Sequence, residues 1–399
     1  RASPRSHRRR ACAATGLAAP RPPHLHAGGR CAPRQRRRRS LMTRNNVALS
    51  YAPVSALIGL FALFYTVFMV AMIPAVLGVP GDNDPPRDRF YPGSDLVGVI
   101  AVNVLFLLAL VSFVRASFTD PGTVPAMYPW DPNCPATYGE STEFERALAK
   151  KGLSNARGLE RKMDGRARFC RLCGKYKPDR AHHSSNMGHC VLEMDHYCPW
   201  IRNCVGFFNK KYFFLLVLYG GSALLGFVAV MAPHFEHSCD HFITALDFFI
   251  IFTWILALLL GSMVSCFAIF HVWLMSHAFT TIEFCEKRRA DDTKRNAQGY
   301  RLKELYARSP YSISWYHNVS HVLGPWYLWL VPTRTGMPGG SIAGCVFDVD
   351  LTHPLYQCTM SSGRAVPHDD QPESASTSST AEHDSLLADS PVDAVLAPY

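Results

Sequence analysis

Charge is scarce in this sequence: 18% of its 399 residues are Asp, Glu, Lys or Arg, against 48% hydrophobic. It is also unevenly spread. The first 44 positions hold no acidic residue, and the stretch from Pro233 to Asp247 holds no Lys or Arg. Cysteine is sparse for the length, 13 in all, too few to staple a fold by disulfides. Amphipathic alternation is missing from the longest apolar blocks, which excludes a soluble protein built from helices with one apolar stripe. The formal net charge of +10 does not describe the body of the chain, because 13 Arg fall in the first 44 residues. Removing those 13 from the 41 Lys and Arg leaves 28 basic residues against 31 acidic ones. The basic balance belongs to one arm, and no nucleic-acid partner is expected.

That arm, residues 1–50, contains no Met before Met42. Its Arg-rich, acid-free composition is similar to that of a transit peptide, but no amphipathic period is visible. It is expected to be disordered, with residues 1–41 either a tail or translated sequence upstream of Met42.

What is present in quantity is apolar sequence in blocks long enough to cross a bilayer, which takes roughly 20 helical residues. Four such blocks run from Ser55 to Val79, Leu96 to Val114, Tyr212 to Ala232 and Phe248 to Ile269. The expected fold class is therefore a membrane all-α protein. Four transmembrane helices would flank a cytosolic, zinc-binding, cysteine-rich domain between the second and third. The expected divisions are 51–122 for the first two helices, 123–210 for the cysteine-rich domain and 211–275 for the last two helices. Residues 276–335 follow as a cytosolic segment returning to the membrane, and 336–399 as a disordered acidic tail. Basic residues gather between the second and third blocks, Lys210 and Lys211 among them, and after the fourth at Lys287 to Arg289. That asymmetry places the cysteine-rich domain and both termini in the cytosol. Within the tail, Glu382 to Leu387 has the form of an acidic dileucine signal.

Five of the cysteines lie between Cys170 and Cys204, beside several His. Cys170 and Cys173 form a CxxC knuckle, and His183 and Cys190 complete a Cys3His set suited to tetrahedral zinc. Next comes Asp195-His196-Tyr197-Cys198-Pro199-Trp200. A thiol becomes a nucleophile when a neighbouring imidazole takes its proton, and an acid beside the imidazole fixes its tautomer. Spacing alone leaves a second possibility, in which His196 and Cys198 are two more metal ligands.

The segment resembles the DHHC family of protein S-acyltransferases (palmitoyltransferases), here with Tyr197 in the third motif position. The resemblance includes Cys198-Pro199-Trp200, Asn203-Cys204-Val205-Gly206, Asp120-Pro121-Gly122 after the second span and Thr280-Thr281-Ile282-Glu283 after the fourth. The stretch from Pro310 through Asn318 to Pro332 is similar to the family's short amphipathic return to the membrane. The resemblance implies two-step transfer of a fatty acyl group from palmitoyl-CoA, or a similar acyl-CoA, to cytosolic cysteines of membrane-associated proteins. Cys198 would carry the acyl group, His196 would be its general base and Asp195 the orienting acid. Trp200 would line the acyl-chain cavity. A Thr of the Thr280/Thr281 pair, with Glu283, would brace the active-site acid, and Asn318 would tie the C-terminal segment to that element. An integral multi-pass protein of the Golgi, the endoplasmic reticulum or the plasma membrane is implied, with the lipid bilayer as a partner.

The sequence departs from the family in its second zinc set, which would fall on Ser184, Met187, Tyr197 and Cys204. Ser, Met and Tyr are poor zinc ligands beside thiolate and imidazole, so one ion per chain is expected and Cys204 becomes a free thiol. Trp200, Phe207 and Phe208 are candidates to hold that part of the domain by packing; His182 and His189 are alternative ligands. The lost site also raises a second reading, a catalytically weak relative acting as a membrane-protein chaperone or scaffold. A ubiquitin-ligase ring would need the full second metal set. Cys285, beside the membrane and next to basic residues, has the setting of a lipidation site. Asn318-Val319-Ser320 matches a glycosylation acceptor on the wrong side of the membrane.

Overall fold

A chain in lipid must satisfy its own backbone polar groups, so uninterrupted apolar runs become helices. The computed structural model describes residues 44–77, 94–127, 129–133, 146, 160, 162, 166–240, 244–289, 307–334 and 344–354. The expectations for the basic arm before residue 44, for the acidic tail after residue 354 and for its dileucine-like stretch lie outside these residues. Helices α1 (Arg44–Leu77) and α2 (Ser94–Phe118) precede the cysteine-rich lobe. Helices α3 (Lys210–Val230) and α5 (Ala245–Ser276) follow it, joined through the short α4 (Ala232–Asp240). Four stretches are long and apolar enough to cross a membrane: Ser50–Pro74, Leu96–Phe118, Lys210–Val230 and Ala245–Ser276. The chain is a multi-pass membrane protein.

Helix α3 is the centre of the bundle, packed along its length against α2 and α5. Close approach requires small residues where no hydrophobic drive exists between helices. At Gly221 a Cβ would stand 2.8 Å from the Ser265 hydroxyl, so only glycine lets α3 and α5 meet there. Phe64 and Phe68 of α1 pack on Phe227 of α3, with Phe106 of α2 in the same cluster. Apolar side chains pointing outward, such as Ile100 and Leu107 of α2 and Leu259 and Ile269 of α5, are exposed to the surrounding lipid. Asp247, in the first turn of α5, is buried. Its carboxylate accepts bonds from the Thr244 backbone and hydroxyl and from Ser238, which caps α5 and ties it to α4.

Between α2 and α3 the chain forms three antiparallel two-stranded hairpins: β1 (Phe169–Cys170) with β2 (Lys175–Tyr176), β3 (His182–Ser184) with β4 (His189–Val191), and β5 (His196–Cys198) with β6 (Asn203–Val205). Two asparagines fix the third hairpin to the bundle. The last carbonyls of a helix have no partner of their own. Asn203 Nδ2 donates to Ala116, Ser117 and Thr119 at 3.1, 3.2 and 2.8 Å, and Asn209 Nδ2 donates to Ala116 at 3.2 Å. The Asp120-Pro121-Gly122 turn follows at once. Asp120 accepts from the Gly122 N–H at 2.7 Å, and the Gly122 carbonyl accepts from Leu192 of the lobe.

After α5 come α6 (Thr281–Arg289), α7 (Trp315–Leu323) and a 3-10 turn (Trp326–Leu328). Helix α7 starts at a Ser314 cap and ends at Gly324, whose φ of +80° favours glycine. Composition placed residues 336–399 in a tail, yet one described segment within that range is packed. Gly344–Pro354 is laid against the lobe, with Cys345, Phe347 and Val349 buried beside Tyr311. The physical reason is alternation: three apolar side chains two residues apart present one face to the core.

Candidate active site and metal centre

Cys170 and Cys173 flank the tight turn of the first hairpin, while His183 and Cys190 face each other across the second. Their ligand atoms all lie within 4.8 Å of one another. His183 Nδ1 is 3.5, 3.3 and 3.9 Å from the sulfurs of Cys170, Cys173 and Cys190. A tetrahedral zinc with Zn–S of about 2.3 Å and Zn–N of about 2.0 Å sets an N···S edge of about 3.6 Å, so the set fits this ion. Hydrogen bonds from Cys173 and Cys190 hold the Cys170 thiol far below its usual range. Bonds with Cys170 and Cys173 push Cys190 far up. A crowd of thiols that can lose one proton easily and further ones only with difficulty is what a dication relieves.

At the second family position no metal cluster exists among the described residues. Cys204, wholly buried, donates its S–H to the Ser184 hydroxyl at 3.1 Å. Burial pushes that thiol up to about 11. Met187 and Tyr197 pack against Cys204, Val191, Met194 and Ile282 in a small apolar core. Phe207 and Phe208 do not do this work: Phe207 packs with His321 and Phe347 on another face of the lobe. His189 turns Nδ1 to the Met187 carbonyl rather than to a ligand set. Cys204→Ser should therefore leave metal content unchanged and cost about 1 kcal/mol or less, since a hydroxyl can keep the Ser184 bond. Metal analysis and thermal unfolding of that variant check this.

Hairpin β5–β6 carries Asp195, His196 and Cys198 to the lobe end of the bundle. His196 Nδ1 donates to Asp195 Oδ2 at 2.9 Å, and Cys198 follows two residues later on the same strand. Cys198 is 5% exposed, in an apolar cluster made by Phe113 of α2, Phe213 and Val217 of α3 and Ala268 of α5. Burial pulls His196 down, but Asp195 and Cys198 outweigh this and raise it to about 9. Burial likewise opposes ionisation of Asp195, yet Lys210 and His196 keep its carboxyl well below the usual range. Because the folded value of His196 lies above the unfolded one, its stabilising contribution is complete below about pH 6.5 and lost as pH rises through about 9. Thermal unfolding followed against pH should show the same upper limb, and Asp195→Asn should move it down toward 6.5. A limb unmoved by that change would separate Asp195 from His196.

Thr281 is the member of the pair that braces the acid. Its N–H donates to Asp195 Oδ1 at 3.1 Å and its hydroxyl to Asp195 Oδ2 at 2.9 Å. Thr280 instead caps α6, exchanging bonds with Glu283. Glu283 reaches away from the acid and takes a two-pronged bond from Arg180 at 2.7 and 2.9 Å. Asn318 donates to the Ser276 carbonyl at the end of α5 at 2.8 Å and to Ser312 at 3.0 Å, which spends its amide on structure. Trp200 is 52% exposed on the β5–β6 turn. An apolar cavity of about 250 Å³, lined by Leu63, Val67, Val70, Leu246 and Phe249, lies near the start of α5, far from Cys198.

Several residues at this site carry no motif of their own. Lys210 and Lys211 read as membrane-flanking charges, yet both are buried. Lys210 lies 3.3 Å from Glu193 and 3.5 Å from Asp195, and Lys211 donates to the carbonyls of Leu323 and Leu328. Arg180 is buried under the rings of Tyr311 and Phe347 and pairs with Glu193 as well as Glu283. Glu193 also accepts from His321 of α7 at 3.0 Å. The signal for these residues is weak: charged side chains inside a short cysteine-rich segment look like solvated surface.

Comparison with known proteins bears on the same region. The family model for DHHC palmitoyltransferase matches residues 163–288. Probable protein S-acyltransferase 14 of Arabidopsis thaliana is 37% identical over 206 residues, covering 49% of this chain and 64% of the relative. Probable protein S-acyltransferase 15 of the same plant is 31% identical over 258 residues, covering 62% of this chain and 87% of the relative. Palmitoyltransferase ZDHHC3 of Homo sapiens is 34% identical over 184 residues, 46% of this chain and 50% of that protein. The chain thus spans between half and nearly nine-tenths of these relatives.

Proposed function

Because the chain belongs to the DHHC palmitoyltransferase family, we propose that it transfers a fatty acyl group from acyl-CoA to protein cysteines through Cys198. The observation that carries this reading is the chain of hydrogen bonds from Thr281 to Asp195 to His196, on the same short strand as Cys198, whose thiol lies in an apolar cluster between three spans. His196 takes the Cys198 proton, and the sulfur attacks the acyl-CoA thioester; the imidazolium returns the proton to the departing CoA thiolate. In the second step an acceptor thiol gives its proton to His196 and takes the acyl group. Asp195, fixed by Thr281 and Lys210, holds the imidazole and its positive charge.

Zinc at Cys170, Cys173, His183 and Cys190, one ion per chain, supplies structure by clamping the first two hairpins together. The apolar walls beside Cys198 suit a long acyl chain, and Trp200 offers its ring where that chain leaves the sulfur. The Lys and Arg asymmetry supports a cytosolic lobe and cytosolic termini in an endomembrane or the plasma membrane. Exposed Trp315, Tyr316, Trp326 and Tyr327 form an aromatic belt at the same end, suited to the lipid headgroup level. Acceptors would then be membrane-associated proteins with cytosolic cysteines. Retention of the whole acid–imidazole–thiol set gives the scaffold reading no support.

Incubation of purified protein with labelled palmitoyl-CoA should place a hydroxylamine-sensitive label on the chain. Cys198→Ala should abolish it. A label that persists in that variant would put the nucleophile elsewhere.

A further inference from the structure

His271 lies on α5 one and two turns beyond Ala268 and Val264, the face that packs on the cluster containing Cys198. It is 3% exposed. Its ring centre is 6.3 Å from that of His196, and both rings touch Phe213, at 5.4 and 5.0 Å. Phe267 and Phe270 complete its surroundings, at 4.5 and 6.0 Å. Among the described residues the buried Nε2 of His271 has no hydrogen-bond partner. Leaving a buried donor unpaired costs about 1–3 kcal/mol, so a native structure that keeps one beside its reacting atoms calls for a reason.

The other polar groups around Cys198 are already committed. His196 gives its Nδ1–H to Asp195, which leaves its other nitrogen for the thiol proton. Asn203 is held by the carbonyls of Ala116, Ser117 and Thr119, Lys210 by Glu193 and Asp195, and Thr281 by Asp195. Attack of the Cys198 sulfur on a thioester moves the carbonyl electron pair onto oxygen, and that oxyanion needs a donor in an apolar setting. We propose that His271 Nε2–H is this donor, a further catalytic residue that binds the thioester carbonyl oxygen and strengthens its bond as charge develops. The tetrahedral adduct then re-forms the carbonyl, the C–S bond to CoA breaks, and the CoA thiolate takes the proton held by His196. No proton leaves His271. The proposal rests on Cys198 as the nucleophile.

The test compares His271→Phe, His271→Asn and His271→Gln in full-length detergent-purified protein. Two rates are measured: single-turnover acylation by palmitoyl-CoA, and alkylation of Cys198 by iodoacetamide, which needs the thiolate but no oxyanion donor. His271→Phe should slow acylation roughly 100-fold while alkylation stays within about twofold. Gln, whose amide reaches the Nε2 position, should recover about tenfold or more over Asn, which falls short of it. Acylation by His271→Phe within about threefold of the parent, alkylation falling in step with acylation, or Gln no faster than Asn would each overturn the donor role. Should the Phe variant fail to fold, the Gln and Asn pair decides alone. A label retained by Cys198→Ala marks failure of the nucleophile assignment instead, a result that no His271 variant can mimic.

Discussion

Cys190→Ala is expected to release the metal and unfold the cysteine-rich lobe. Three ligands remain in that variant, but the missing sulfur is the one on β4, the strand that pairs with His183 and leads to Glu193 and Asp195. Structural zinc contributes roughly 10–16 kcal/mol to folding in small peptides, and no second metal cluster exists among the described residues to share the load. The effect should appear as metal loss by elemental analysis, protease sensitivity between residues 166 and 209, and absence of self-acylation. The four spans, whose packing runs through α2, α3 and α5, should keep their helical signal. A variant that still held zinc and acylated itself would mean that His182, His189 or Cys204 takes over as a ligand.

Arg180→Ala should be the most damaging change outside the metal set. Removing this side chain takes the two-pronged bond from Glu283 and one of three cationic partners from the buried Glu193, which keeps Lys210 and His321. Breaking a buried pair in this way costs about 3–5 kcal/mol, or on the order of 10 °C in thermal midpoint for a domain of this size. Arg180→Lys should recover little of it. A lysine cannot offer the fork that takes both Glu283 oxygens, nor the planar face that lies under Tyr311 and Phe347. Activity should fall further than stability alone explains, because Glu283 positions the start of α6 and α6 delivers Thr281 to Asp195. A midpoint shifted by only about 2 °C would show that the carboxylates find other partners.

The bundle was legible because lipid imposes a simple grammar: four apolar runs became four helices, with ends shifted by a few residues. The Cys3His cluster was legible from spacing, since a CxxC knuckle and a later His and Cys can close one small tetrahedron, and the structure brings these four ligand atoms together. The roles of Asp195, His196 and Cys198 were not. Spacing left them open as ligands, and only the resemblance separated the readings. The charges that hold the site together were hidden for a different reason. Lys210 and Lys211 sit where membrane-flanking cations belong, so their burial depends on Glu193, Asp195 and the α7 carbonyls, all distant in the chain. Gly344–Pro354 was hidden by its neighbours: a Ser-rich and acidic stretch follows it, while the alternation of Cys345, Phe347 and Val349 extends over only five residues. The lost second metal site was visible as missing ligands, but its replacement was not, because Met187 and Tyr197 acquire meaning only beside Cys204 and Ile282.

Transfer through Cys198 is the step on which the rest depends, and it can be watched in one experiment. Purified protein is loaded with labelled palmitoyl-CoA, separated from free donor, and mixed with a cysteine peptide bearing a membrane anchor. Label should leave the Cys198 peptide at the rate at which it appears on the acceptor, and Cys198→Ala should show neither process. Acceptor labelled directly from acyl-CoA by Cys198→Ala at the parent rate would contradict a covalent intermediate on this residue.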